Sequence, residues 1–173
     1  AMGQWGDLSF RVRFMLAESV PAWFWHVEIG NQGGSAVRCD LIHTQDIGLA
    51  QYGAIRLNEW YVSQYVDHTP LSHAERGWAV ASRQNQSMGG RCPWTVIGSL
   101  GNGVAYATDA LQFHGLAARA GERPAALHAG LPGRRLQHEH SMVCLQEAAF
   151  EVEALGRQST GFFGLFVADK PDA

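Results

Sequence analysis

The 173-residue chain has only three cysteines, Cys39, Cys92 and Cys144, far apart and odd in number. That spacing supports neither a disulfide framework nor a cysteine-ligated metal, and it predicts three reduced thiols. Basic clusters are equally scarce. The net charge is −3 and the longest basic run is Arg134-Arg135, which excludes the electrostatic footprint of a nucleic-acid binder. No apolar run approaches the roughly 18 residues of a membrane span. The opening AMGQWGDLSF lacks the charged and apolar regions of a secretory signal, so a cytoplasmic location is expected. There is no Gly-x-Ser-x-Gly elbow, and Gly101-Asn102-Gly103 leads into a strand pattern instead of the helix that a phosphate cradle requires. Internal repeats and low-complexity segments are absent.

What is present is globular. A chain with 46% hydrophobic and 17% charged residues can bury a core of its own, and one domain over residues 1–173 is expected. Alternation of period two dominates. Leu8, Phe10, Val12, Phe14 and Leu16 share one face of a predicted strand; Trp23, Trp25, Val27 and Ile29 share one face of the next. Val37 to His43 predicts a third strand, completing a meander. Gln45 to Leu57 has poor periodicity and reads as a structured loop. Trp60 to Asp67 and Trp78 to Arg83 read as a central strand pair, joined through the polar turn at Asp67-His68-Thr69-Pro70, with Trp60 and Trp78 pointing inward. In that pairing Asp67 and Arg83 stand about five residue rises apart, roughly 17 Å, and Glu59 becomes the expected partner of Arg83. Trp94–Ser99 and Val104–His114 read as a hairpin across Leu100–Gly103. Residues 115–136 form a surface excursion, with a short helix near 123–129 opened by Pro124. Gln137–Leu155 and Gly161–Asp169 complete about ten strands. The pattern is that of an all-β sandwich.

Several segments together carry a resemblance: QDIGLAQYGAIR, NEWYVSQYVDHTPL, ASRQNQ and GSLGNGVAYATDALQFHG. Over roughly residues 8–168 the chain resembles the N-terminal β-sandwich region of glycoside hydrolase family 94-like phosphorylases, in particular 1,2-β-oligoglucan phosphorylase and cyclic β-1,2-glucan synthase-type proteins. The resemblance implies an antiparallel supersandwich of galactose-mutarotase-like type, here a fragment of a larger enzyme with the sandwich itself open to completion. It implies a following α/α barrel, a role in a homodimer, a β-linked gluco-oligosaccharide substrate and inorganic phosphate as the parent enzyme's co-substrate. The family's general acid is an aspartate of the barrel. Nothing in this chain matches it or the phosphate site, so the chain alone is expected to be inactive.

The residues themselves leave several chemistries to weigh. His138 and His140 could share a strand face toward a metal, yet no third ligand is fixed by the sequence, and no metal site is expected. Glycosidic chemistry needs two carboxyl groups, or one acid plus phosphate. Asp40, Asp46, Glu59, Asp67 and Asp109 are candidates with no pair fixed. Sugar recognition needs aromatic faces for C–H groups and planar polar groups for hydroxyls. Tyr65, Asp67, His68, Arg83, Gln84 and Asn85 supply that mixture and are the candidate substrate-binding residues, alongside a purely structural reading in which they brace a loop. Two further functions stay open: a self-contained mutarotase-like epimerase or lyase using His68 or His114 as base, and a carbohydrate-binding module.

Overall fold

The computed structural model describes residues 1–136 and 140–170. Twelve strands dominate it. In chain order they are β1 (Met2–Trp5), β2 (Leu8–Leu16), β3 (Ala22–Asn31), β4 (Val37–Cys39), β5 (Ile42–Asp46), β6 (Val66–His73), β7 (Gly77–Gln84), β8 (Trp94–Ser99), β9 (Gly103–Asp109), β10 (Ser141–Glu147), β11 (Phe150–Val152) and β12 (Arg157–Val167). Three helices interrupt them, α1 (Tyr52–Ser63), α2 (Ala110–His114) and α3 (Ala126–Ala129), with a 3₁₀ turn over Leu116–Ala120. The all-β expectation holds, and α3 is the short helix expected near 123–129.

Ten strands belong to one curled sheet, which divides into two layers. The long layer runs β1-β2-β3-β12-β8-β7-β6, every neighbour antiparallel. The short layer is β9-β10-β5, also antiparallel. One parallel bridge, Gly77 to Gly103, joins them. The backbones meet so closely there that a Cβ on Gly103 would strike the Trp78 carbonyl oxygen at 2.6 Å, so glycine is required. Between the layers lies the main core: Val80 and Ile97 of the long layer against Tyr106, Val143 and Leu145 of the short one, with Val66, Ile47 and Phe162 around them. A second, smaller cluster covers the outside of the short layer. Ala126 and Leu131 from the excursion pack on Ala107, Met142 and Cys144.

The main departure from the sequence pattern is α1. Residues 60–66 do not form a strand. Arg56, Leu57, Glu59 and their neighbours favour helix, and Asn58 caps the second half of a kinked helix by accepting from the Tyr61 amide at 3.1 Å. Only Val62 and Ser63 of α1 are buried; Trp60 is 54% exposed, not inward. Trp78 does face the core, 5.0 Å from the Tyr106 ring. With α1 occupying the segment, the real hairpin is β6–β7, turning at residues 74–76 instead of 67–70. Pro70 sits inside β6, which is tolerated because β6 is the edge strand of its layer.

Two smaller corrections follow from the layering. β8 and β9 form no hairpin: β8 pairs with β7 and β12, β9 with β10, so Leu100–Gly103 crosses between layers. Likewise β4 leaves the meander and pairs with β11. The run expected to stay extended to His114 breaks at Asp109, whose carboxylate accepts from the Leu111 amide at 2.8 Å and caps α2.

Candidate functional site: a polar cleft on the outer sheet face

In the β6–β7 ladder Asp67 lies opposite Arg83, and Arg83 lies opposite Trp94 in β8. These three residues stand in one row across three strands. Because strands alternate, their neighbours Val66, His68, Ser82, Gln84 and Thr95 face the core and are buried. The row borders a cleft of about 190 Å³, whose lining also includes Thr69, Leu71, Ala81 and Lys170.

The segment after β12 folds back to close one side. The Cys92 amide donates to Asp169 Oδ1 at 2.9 Å, and the Lys170 amide donates to the Cys92 carbonyl at 2.9 Å. Lys170 Nζ rests over the Trp94 ring, 4.5 Å from its centroid, a cation–π contact. The Lys170 carbonyl accepts from Arg83 Nε at 2.9 Å, and a second Arg83 nitrogen donates to Asn85 Oδ1. Asp67 pairs with Arg135, a residue of the excursion.

The expected site residues therefore divide. Asp67 and Arg83 line the cleft. His68 and Gln84 point the other way, into the core. His68 is held at both ring nitrogens, Nδ1 to Ser82 Oγ at 2.8 Å and Nε2 to Ser141 Oγ at 2.9 Å, so it ties β6 and β7 to β10 of the opposing layer. Burial pushes its imidazole down to about 4, against the pull of Asp67 and with the help of Arg135. Gln84 donates to the Val62 carbonyl at 3.1 Å and accepts from the Gln86 amide, anchoring the end of α1. Asn85 binds the Tyr65 carbonyl through its backbone at 2.8 Å. Tyr65 is exposed, its hydroxyl 3.1 Å from that of Tyr61.

Trp94, Lys170 and Arg135 escaped the sequence reading. Trp94 follows Pro93 at a strand start and could be aligned with Arg83 only once the β7–β8 register was known. Lys170 and Arg135 arrive from segments 87 and 68 residues away from their partners Arg83 and Asp67.

Among the described residues the cleft offers an aromatic face, two cations, the Thr69 hydroxyl and one carboxylate. That set can bind a polyol or sugar. Among the described residues it lacks the second carboxyl group that hydrolysis of a glycosidic bond would need. The other candidate carboxylates lie apart: Asp46 is 3.2 Å from His140, Asp40 accepts from Gln146 at 2.5 Å, and Asp109 caps α2. Among the described residues no group of His, Cys, Asp and Glu is arranged to hold a metal ion, and His138 lies outside them. No helix among them is long and apolar enough to cross a membrane.

Residues 1–164 match the SOGP N-terminal domain, and the chain belongs to that family. Over 165 residues it is 32% identical to the 1,2-β-oligoglucan phosphorylase of Listeria innocua serovar 6a (strain ATCC BAA-680 / CLIP 11262). That alignment covers 95% of this chain and 14% of the relative, so the chain spans about one seventh of the length of the protein it matches.

Proposed function

We propose that this chain is the non-catalytic N-terminal domain of a glycoside phosphorylase that cleaves β-1,2-linked gluco-oligosaccharides with inorganic phosphate. Its role is to support the catalytic part of the polypeptide and to border the substrate path with the Asp67–Arg83–Trp94 row. The observation that carries the reading is the near-complete alignment of this chain with one end-portion of a 1,2-β-oligoglucan phosphorylase. The cleft agrees with it: one carboxylate and an aromatic platform suit contact with a glucan, not bond cleavage. A self-contained epimerase fits less well. Of its two candidate bases, His68 has both nitrogens engaged and a buried ring that resists protonation, and His114, exposed at the end of α2, does not line the cleft. The test is made on the polypeptide encoded by the full reading frame. It should release glucose 1-phosphate from β-1,2-linked gluco-oligosaccharides only when phosphate is added; activity on other linkages alone would refute the assigned substrate.

A further inference from the structure

The two layers are unequal, seven strands against three. The short layer stops at β5, which among the described residues pairs only with β10. Ile47 donates its amide to the Ser141 carbonyl, and Glu147 donates to Leu41. Odd-numbered residues along β5 therefore bond to β10, and antiparallel alternation turns the N–H and C=O groups of Ile42, Thr44 and Asp46 to the opposite, open edge.

Beside that edge lies a cleft of about 390 Å³. Its floor is the inward face of β1–β3, carrying Trp5, Phe10, Val12, Trp25 and Val27, and His43 of β5 forms one wall. His43 stacks on Phe162 at 4.9 Å, which places β5 over β12 and leaves the floor beyond it uncovered. Phe14 and Leu16 continue the same face and are 51% and 71% exposed. Elsewhere this face is core; here Cys39, Asp40, Leu41 and Ile42 line one side of the cleft, and toward Phe14 and Leu16 the face stays exposed. A strand bonded to β5 would lie about 4.8 Å beyond it, directly above the floor.

We propose that β5 and this floor form a docking site for one extended β-segment, apolar at every second position, supplied by the remainder of the same polypeptide. The inference rests on the reading of the chain as an N-terminal domain. A relative of which this chain matches only 14% has ample length to provide the segment. The site is one layer deep, which suits strand addition to an edge.

Hydrogen exchange on the full polypeptide and on this chain alone tests the proposal. The amides of Ile42, Thr44 and Asp46 should exchange at least about 100-fold more slowly in the full polypeptide. Thr44→Pro removes an edge N–H without touching the β10 ladder, and it should abolish that protection; Thr44→Val should preserve it. Equal, fast exchange in both proteins overturns the docking site. The same preparations are assayed for phosphorolysis. An active enzyme with an unprotected β5 refutes the docking alone, whereas a protected β5 in an enzyme without phosphorolysis refutes the phosphorylase reading and leaves the docking standing.

Discussion

Asp67 and Arg83 face each other directly across the β6–β7 ladder. Their alignment sets one end of the outer-face cleft, with Trp94 next in the row and Arg135 reaching Asp67 from the excursion. Asp67 and Arg135 are both well exposed, so solvent screens their attraction. Asp67→Asn and Arg135→Gln should each cost less than about 1 kcal/mol, with a coupling of about 0.5 kcal/mol in a double-mutant cycle read by urea denaturation. A coupling above about 2 kcal/mol would show that the pair is buried.

His68 gives the stability a pH dependence. Its folded pKa lies below the ordinary 6.5, at about 4, so the unfolded chain binds the proton first. The stability it contributes is complete above pH 6.5 and is lost as the pH falls toward 4. The loss is on the order of 3 kcal/mol by the usual conversion of a pKa shift. His68→Gln should flatten the stability profile across that window, and an unchanged slope would contradict the buried, neutral imidazole.

Glu147 acts in the opposite sense. Burial raises its carboxyl pKa, with the Thr160 hydroxyl opposing, and its second oxygen has no partner among the described residues. A raised folded pKa contributes stability that is fully present below 4.5 and lost as the pH rises through the folded value. Glu147→Gln should therefore raise the urea midpoint at pH 8 and leave it nearly unchanged at pH 4. Gly101→Ala should destabilise, because the added Cβ would strike the Glu147 carboxylate.

The two tryptophans of the central stretch should separate cleanly. Trp78→Ala removes a ring packed on Tyr106 and the core, and should cost about 3 kcal/mol. Trp60→Ala removes a half-exposed ring on α1 and should cost less than about 1 kcal/mol in thermal or chemical denaturation. Equal costs would mean that α1 packs more deeply than its exposure indicates.

Much of the fold was legible wherever alternation was unambiguous. β2, β3, β7 and β12 fall where period-two patterning puts them, and α3 follows its proline. The central failure has one cause. Over residues 60–66 the apolar residues satisfy both a period of two and a helical spacing, and Asn58 just before them is a helix cap. Misplacing that one element moved the hairpin turn, so Asp67 and Arg83 were expected far apart when they are opposed. The cleft was half legible for the same reason. Its residues on the central stretch could be named, but Trp94, Lys170 and Arg135 depend on register and on long-range return of the chain, which local patterning does not encode.

The most direct measurement is phosphorolysis by the purified 173-residue chain, incubated with β-1,2-linked gluco-oligosaccharides and inorganic phosphate, with released glucose 1-phosphate quantified. A cleft with one carboxylate among the described residues, together with the core-locked His68, predicts no release above the buffer control, while the polypeptide of the full reading frame should release it under the same conditions. Glucose 1-phosphate formed by the chain alone, and lost on Asp67→Asn, would contradict the assignment of a non-catalytic domain.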